Sequence, residues 1–332
     1  MVTSHDVARL AGVSQPTVSR ALRDNPKVSE ETKQRVRDAA KALGYVPSEA
    51  GRALSSGRTR RIGLLLTDLE NQFYQYVIAP IHRELEALGY QLVLQTETSD
   101  TGQVTERLVG NGLQGVLLAT TTLDSVLPVR LRDRGVPFVY FNRTSDAVES
   151  DQVVVDPTGG LKEAADSLVR FGHRRVAAIF GPRNTSTGER REAALRDALE
   201  DHGLSIASRY TQRGPFDFES GFAGARQLLS LSERPTAIVC GNDVVALGAL
   251  NAARELDVAV PGQVSIVGFD DLPVASWPIV RLTTVAFDLE AMARAAASLV
   301  VRRLEAGEQP PFETLTFSSR LVLRDTLAVA AS

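Results

Sequence analysis

Polar side chains near the N-terminus recur on one face of a predicted helix: Gln15, Ser19, Arg20 and Arg23. A glutamine can form two hydrogen bonds with adenine and an arginine can bond guanine, and each such pair discriminates against a wrong base by about 1–3 kcal/mol. The same residues would also suit the solvated face of a small helical bundle. The surrounding elements must therefore indicate whether this face can enter a DNA groove.

Three short helices are predicted between residues 3 and 45. Thr3 and Asp6 resemble a capping box at the start of the first helix, while Ser14 and Ser29 suit the N-cap positions of the next two. The residues expected to face inward recur at helical spacing: Val7, Leu10 and Ala11, then Val18, Ala21 and Leu22, then Thr32, Val36, Ala39, Ala40 and Leu43. A turn containing Gly12 joins the first two helices, which is typical of a helix-turn-helix.

The charge is distributed unevenly along the chain. Residues 1–61 contain 12 Lys and Arg against 6 Asp and Glu, a net charge of +6, whereas the remaining residues contain 25 against 34, a net charge of −9. A basic N-terminal part on an acidic remainder indicates a polyanionic partner for the N-terminal part.

Beyond residue 61, short apolar runs alternate with helical stretches. The predicted strands cover residues 62–66, 91–95, 115–119, 138–141, 152–155, 175–180, 236–240, 264–269 and 282–286. This alternation favours parallel sheets flanked by helices, and nine strands are more than one sheet comfortably holds. We therefore predict an α/β core with two lobes and a ligand cleft between them, at the carboxyl ends of the strands.

Two glycine-rich segments raise the question of nucleotide chemistry. Residues 110–115 match G-x-G-x-x-G but precede a predicted strand, whereas a dinucleotide fingerprint follows one. The loop 181–188 follows a strand but lacks the G-K-[ST] of a P-loop. The four histidines are scattered and no Cys/His cluster is present, so we predict no enzyme activity, no metal and no cofactor.

Cysteine usage and hydropathy bear on the compartment. Cys240 is the only cysteine, which excludes an internal disulfide and favours a reducing environment. No apolar run approaches the roughly 18 residues of a membrane span, and no export signal is evident. We therefore expect a cytoplasmic protein with no membrane partner.

Short motifs along the whole chain resemble those of the lactose-repressor (LacI/GalR) family. In the N-terminal part they are Asp6-Val7-Ala8, Ala11-Gly12-Val13-Ser14, Thr17-Val18-Ser19-Arg20, Val28-Ser29 and Leu43-Gly44-Tyr45-Val46-Pro47. In the remainder they are Gly172-His173-Arg174-Arg175-Val176, Asn242-Asp243, Val267-Gly268-Phe269-Asp270-Asp271 and Leu282-Thr283-Thr284-Val285, in the order typical of the family.

The resemblance implies a small all-α helix-turn-helix headpiece and a two-lobed α/β core similar to periplasmic binding proteins. The headpiece would cover residues 1–46, the hinge helix and linker 47–61, and the effector-binding and dimerisation core 62–332. Lobe 1 would cover about 62–158 and 288–317, and lobe 2 about 159–287 and 318–332. The family binds a pseudo-palindromic operator as a homodimer, so a homodimer is expected here.

The resemblance also implies which residues contact the operator: Thr3, Ser4, Ser14, Gln15, Pro16, Thr17, Ser19, Arg20, Ser29, Thr32 and Leu54. Pro16 departs from the polar residue typical of its position, and its base preference stays open because it can offer only apolar contact. Leu54 matches the leucine that the family inserts between base steps. A linker leucine packed against the core is the alternative.

For the effector, the resemblance implies contacts from Phe73, Tyr74, Asp156, Thr187, Arg191, Phe216, Asn242, Asp270 and Trp277. Such polar groups can share the hydroxyls of a sugar, and aromatic rings can cover its apolar face. Asn242 favours a sugar or polyol over a purine, while Phe216 and Trp277 would suit core positions equally well. A protein or a nucleoside-like metabolite is the alternative co-effector, and the sequence leaves open whether the effector weakens or strengthens DNA binding.

Overall fold

The computed structural model describes residues 2–22, 24–45, 59–66, 71–96, 106, 108, 110–307 and 310–331. The chain divides into two compact units, Met1–Thr59 and Arg60–Ser332. Residues 47–58 of the predicted hinge and linker, with Leu54, lie outside the described residues, as does Arg23 of the predicted DNA-reading face.

The first unit contains the three predicted helices, α1 (Ser4–Ala11), α2 (Gln15–Ala21) and α3 (Glu30–Ala42). Asp6 Oδ2 accepts hydrogen bonds from the backbone N and the Oγ1 of Thr3 at 3.0 and 2.8 Å, which fixes the start of α1. Gly12 ends this helix with a φ of 66°, a conformation that glycine adopts without steric penalty. Ser29 Oγ accepts from the backbone N of Thr32 at 3.3 Å and caps α3.

A small apolar core holds the three helices together: Val7, Ala8, Ala11, Val18, Ala21, Val36, Ala39 and Ala40. The prediction for α1 is wrong at one position, because Leu10 is 56% exposed and Ala8 is buried instead. At 100° per residue, Val7, Ala8 and Ala11 form one continuous arc and Leu10 falls on its flank. Among the described residues, Lys33 is an unpredicted buried position, and its ammonium lies 2.6 Å from Glu30 Oε1.

The second unit alternates strands with helices. Its helices are α4 (Gln72–Ala87), α5 (Leu127–Asp133), α6 (Thr158–Arg170), α7 (Ser186–Glu200), α8 (Phe218–Leu229), α9 (Asp243–Glu255) and α10 (Leu289–Glu305), with 3-10 turns at Ser208–Tyr210 and Pro273–Ser276. Its strands are β1 (Arg61–Leu66), β2 (Gln91–Thr96), β3 (Gly115–Leu118), β4 (Phe138–Phe141), β5 (Asp151–Asp156), β6 (Val176–Phe180), β7 (Thr211–Arg213), β8 (Ala237–Cys240), β9 (Ser265–Phe269), β10 (Thr283–Ala286), β11 (Thr314–Ser318) and β12 (Arg320–Val322).

In the described part of the chain, the strands form two six-stranded sheets. The first has the order β11-β5-β4-β3-β1-β2 and the second has the order β12-β10-β9-β8-β6-β7. All pairs are parallel except β10 with β12. Parallel strands covered by helices on both faces are apolar throughout, and β3, β4, β6, β8, β9 and β10 are buried at every residue. The two-sheet α/β architecture predicted from the alternation is confirmed.

The chain passes between the sheets three times. It leaves the first sheet after β5, returns to it through α10, which packs against β3, β4 and β5, and enters the second sheet again between β11 and β12. Strands β7, β11 and β12 were not predicted, and each lies at the edge of its sheet. An edge strand is half solvated, so its apolar run can be absent, as Thr211-Gln212-Arg213 illustrates. Strand β2 also lies at an edge, but it was predicted because it contains the run Leu92-Val93-Leu94.

A buried ion pair attaches α10 to the first sheet. Arg303 Nε and Nη2 donate to the two carboxylate oxygens of Asp151 at 2.7 Å each, and the backbone N of Glu313 donates to Asp151 Oδ1 at 2.8 Å. Asp151 is inaccessible to solvent. None of the helices that the structure describes has the length and apolar character of a membrane span.

Candidate nucleic-acid interface and ligand cleft

The polar face of α2 lies on the surface of the first unit. Arg20 and Pro16 are exposed, and Gln15 is half-buried with its Nε2 donating to Ser4 Oγ at 3.3 Å. Pro16 falls at the second helical position, where its missing N–H breaks no helical hydrogen bond. Arg20 projects from a rigid helical scaffold, as base readout requires.

Hydroxyl groups lie at the starts of α2 and α3. Ser14 Oγ and Thr17 Oγ1 lie 2.8 Å apart at the start of α2, and Ser29 Oγ donates to Thr32 Oγ1 at 2.9 Å at the start of α3. Hydroxyls and free backbone N–H groups at helix N-termini are the groups that bind phosphate oxygens. The structure thus places the DNA residues predicted between Thr3 and Thr32 in one three-helix unit, and their contacts with DNA stay a prediction.

In the second unit, a cavity of about 300 Å³, counting the part open to solvent, lies where loops from both sheets meet. Its described lining residues are Asn71, Phe73, Tyr74, Asn142, Arg143, Thr187, Arg191, Phe216, Asn242 and Asp270. The space that water-sized molecules could occupy within it is about 20 Å³, so its walls lie close together. Seven of the nine predicted effector residues therefore line one cavity; their ligand role stays a prediction.

Strand ends and helix starts position these side chains. The first turns of α4 and α7 carry Phe73, Tyr74 and Thr187, while Asn242 is the N-cap of α9 and Asp270 follows β9. In a parallel α/β sheet every strand ends where the next helix begins, so residues far apart in sequence meet at this edge. Asn242 Oδ1 accepts from the backbone N of Val245 at 2.9 Å, which leaves its Nδ2 group as a donor for a ligand.

A buried ion pair forms the wall of the cavity on the side of the second sheet. Arg191 Nη2 donates to Asp270 Oδ1 at 2.8 Å and its Nη1 donates to the carbonyl of Gly241 at 2.7 Å. The guanidinium carbon stacks 3.8 Å from the ring centroid of Phe269. Burial raises the pKa of Asp270 to about 6, although Arg191 opposes the shift. Burial likewise lowers the pKa of Arg191, with Asp270 opposing it.

Asp243 supports this wall from behind. Its carboxylate accepts from Thr284 Oγ1 at 2.5 Å and from the backbone N of Leu272 at 2.8 Å, which fixes the loop that carries Asp270. Burial, and next the negative charge of Asp270, raise the pKa of Asp243 well above its ordinary value.

Two buried polar atoms at the cavity have no partner among the described residues, Asn142 Oδ1 and Thr187 Oγ1. Asn142 also has a φ of 64°, in the left-handed region that non-glycine residues seldom adopt. Partnerless buried polar atoms are rare, and strained backbone concentrates at functional sites. Both atoms are therefore suited to hydrogen bonds with a bound molecule.

The two lobes approach each other around the cavity. Asn71 Nδ2 donates to the carbonyl of Phe216 at 3.0 Å, and the backbone N of Thr144 donates to Ser186 Oγ at 2.8 Å. Each bond joins a loop of the first sheet to a loop or helix of the second. A molecule in the cavity would thus contact both lobes.

Asp156 and Trp277 do not line this cavity, and their ligand role also stays a prediction. Along β5 side chains alternate, so Val155 turns inward while Asp156 is exposed, where it accepts from the backbone N of Thr158 at 2.9 Å. Hydrogen bonds from Thr158 lower the pKa of Asp156. Trp277 follows the second 3-10 turn and is 53% exposed.

Sequence reasoning missed Asn71, Asn142 and Arg143. Asn142 and Arg143 directly follow β4, and Asn71 is the N-cap of α4. The rule that ligands bind beyond the carboxyl ends of parallel strands would have nominated the pair after β4, since that strand was predicted. In the described part of the chain, no group of three His, Cys, Asp or Glu side chains could hold a metal ion.

Comparison with known proteins identifies the family. Residues 3–48 match the model for bacterial regulatory proteins of the lacI family, and residues 165–327 match the periplasmic binding protein-like domain. The HTH-type transcriptional regulator CelR of Thermobifida fusca is 34% identical over 96% of each chain.

Solved structures agree with this assignment. A CelR–cellobiose complex covers 98% of this chain and 100% of its own, with 32% identity and a TM-score of 0.73. The Lac repressor dimer bound to operator and the anti-inducer ONPF covers 98% of each chain, with 25% identity and a TM-score of 0.87. The family prediction made from the sequence motifs is confirmed. The chain is a member of the LacI family of HTH-type transcriptional regulators, with a DNA-binding headpiece and a periplasmic-binding-protein-like effector core.

Proposed function

We propose that two copies of this chain bind a pseudo-palindromic operator in the cytoplasm and repress transcription, and that a sugar or sugar derivative in the cleft changes operator affinity. The observation that carries the proposal is the pair of partnerless atoms, Asn142 Oδ1 and Thr187 Oγ1, in a cavity between two lobes. A chain that contains both a helix-turn-helix and such a cavity can couple ligand binding to DNA binding.

The chemistry of the cavity suits a sugar. Asn142 Oδ1 can accept from a hydroxyl, Asn242 Nδ2 can donate to one, and Asp270 can accept from another beside its bond with Arg191. Phe216 supplies an aromatic surface for the apolar face of a sugar ring. The cellobiose bound in the CelR structure supports the same class of ligand.

Exposed apolar side chains support the homodimer. Trp277 and Ile279 are 53% and 86% exposed, and Phe218 and Phe222 stack with ring centroids 6.0 Å apart near the start of α8. Large apolar side chains that remain exposed in one copy are typical of a protein–protein interface. The Lac repressor, similar over the whole chain, is described as a dimer on its operator.

The proposal is tested by fluorescence anisotropy of the intact protein on the sites that it selects from its native genome. Neutral and acidic sugars are then added at fixed salt concentration. We expect one or more of them to change operator affinity by about 5- to 150-fold, the range typical of allosteric coupling. Selected sites whose affinity no sugar changes would contradict the effector part of the proposal while leaving DNA binding intact.

A further inference from the structure

The described walls of the cleft cavity contain more positive than negative charge. Arg143 and Arg191 contribute two guanidinium groups, whereas Asp270 is the carboxylate that lines the cavity in the part of the chain that the structure describes. Asp270 is already engaged by Arg191 at 2.8 Å. Arg143 faces the ring of Phe216, with its guanidinium carbon 5.7 Å from the centroid, and no described carboxylate forms an ion pair with it.

The two arginines lie close enough to repel each other. Burial lowers the pKa of Arg191, and the charge of Arg143 adds a smaller contribution in the same direction. The ring centroid of Phe216 lies 5.7 Å from both guanidinium carbons. Asp270 offsets the charge of Arg191, whereas no described carboxylate forms an ion pair with Arg143. An anionic ligand group between them would relieve this repulsion.

Helix N-termini add to the positive potential. Asn71 and Asn242 are the N-caps of α4 and α9, Thr187 lies in the first turn of α7, and all three line the cavity. The N-terminus of a helix carries a partial positive charge, and anions bind there readily. The potential of three such ends therefore has the same sign as that of Arg143.

A second observation indicates that the site is built for a ligand. Thr187 is only 8% exposed, and its Oγ1 is buried without a partner at the same wall. The neighbouring cation, Arg190, is directed elsewhere, since it donates to Thr144 Oγ1 at 3.4 Å and its charge acts on Asp156. Arg143 is thus the guanidinium left for the ligand.

We infer that the effector carries a carboxylate or phosphate group in addition to hydroxyls, and that Arg143 binds this group while Asn142 and Thr187 bind hydroxyls beside it. The inference deepens the proposed function, since it rests on the cleft being the effector site. It commits to an acidic sugar, such as an aldonate, a uronate or a sugar phosphate, over the neutral sugar of the same skeleton.

The test compares neutral and acidic forms of one skeleton on the intact protein by titration calorimetry. The probes are glucose, gluconate, glucuronate and glucose 6-phosphate, together with the corresponding galactose series. We expect at least one acidic probe to bind ten-fold or more tightly than its neutral counterpart. The carboxylate and phosphate probes distinguish the two sources of the anion.

Three variants locate the anion. We expect Arg143→Gln to remove the preference for the acidic probe and Arg143→Lys to retain part of it. Arg183→Gln is the matched control, because Arg183 is exposed on the loop between β6 and α7 and does not line the cavity. A neutral probe that binds as tightly as its acid, or equal losses for both probes in Arg143→Gln, would overturn the inference.

Inorganic phosphate provides a test that needs no knowledge of the sugar. At matched ionic strength, phosphate should raise the Tm of the unmodified protein and of Arg183→Gln more than that of Arg143→Gln. Equal responses of all three proteins would also overturn the inference. The inference and the proposed function can fail separately. If only a neutral sugar changes operator affinity, the proposed function stands and the inference is wrong. If the protein binds no operator but still prefers the acidic probe, the inference stands and the proposed function is wrong.

Discussion

Two opposing influences act on the pKa of Asp270: burial raises it and the ion pair with Arg191 lowers it. Its carboxylate is held at 2.8 Å from Arg191, yet burial raises its pKa to about 6. Because the folded pKa exceeds the unfolded value, the folded state binds an additional proton between about pH 4 and pH 6. The contribution of this carboxyl to the free energy of unfolding therefore falls as pH rises from about 4 to about 6, and it is constant above that range.

The affinity for a neutral sugar, unlike the contribution of Asp270 to stability, should rise with pH. A protonated Asp270 loses its ion pair with Arg191 and accepts fewer hydrogen bonds, so affinity for a neutral sugar should fall as pH drops from 7 to 5, with a midpoint near 6. Calorimetry with a sugar that does not itself titrate in this range measures the effect. Asp270→Asn should flatten the profile, and it separates this carboxyl from Asp243, whose pKa burial also raises. An unchanged profile in that variant would assign the pH dependence to another group.

Thr187 should show a conflict between stability and binding. Its hydroxyl is buried without a partner, and an unsatisfied buried hydroxyl costs about 1–3 kcal/mol. Thr187→Val should therefore keep or raise the free energy of unfolding in urea while weakening effector binding. A large loss of stability would mean that the hydroxyl is bonded within the protein and is not reserved for a ligand.

At the scale of elements, α2 carries the DNA-reading prediction. Gln15→Ala and Arg20→Ala should each weaken binding to the selected operator by about 1–3 kcal/mol and reduce the difference between operator and unrelated DNA. Arg9→Ala is the matched control, because Arg9 is an exposed arginine on α1 that pairs with Asp6. Competition gel shifts at two salt concentrations measure both quantities. If Arg9→Ala reduced specificity as much as Arg20→Ala, α2 would not be the reading helix.

The buried ion pair of Asp151 and Arg303 attaches α10 to the first sheet. Removing one partner leaves an uncompensated buried charge, so Asp151→Ala should lower the free energy of unfolding by about 3–5 kcal/mol. The exposed pair of Arg281 and Asp325 is the control, and Asp325→Ala should change stability little. Urea unfolding monitored by circular dichroism distinguishes the two; equal effects would contradict the role assigned to burial.

For the molecule as a whole, the sequence predicted the elements that are strongly patterned. Three capped helices, eight central strands, the edge strand β2 and the two-sheet core followed from apolar periodicity and capping residues. The three remaining strands were missed because they are edge strands without three consecutive apolar residues. Leu10 was placed inward because spacing alone does not give the direction of a short helix's apolar arc.

The cleft was predictable only in part, for a physical reason. Residues at strand ends meet through the topology of the sheet, so Arg191, Asn242 and Asp270 could be nominated from motifs that follow strands. Asp156 lies outside this cavity because a shift of one residue along β5 turns a side chain to the other face of the sheet. Asn142 was missed, and neither its positive φ nor its partnerless Oδ1 can be read from residue type.

The account depends on communication between the two units of one molecule, and one measurement tests it most directly. The operator affinity of the intact protein is determined by fluorescence anisotropy at a single salt concentration, with and without a sugar that calorimetry has shown to bind the core. We predict a shift of about 5- to 150-fold that disappears in an Arg191→Ala variant which still binds operator. Operator affinity that stays the same when the core is saturated with that sugar would contradict the account.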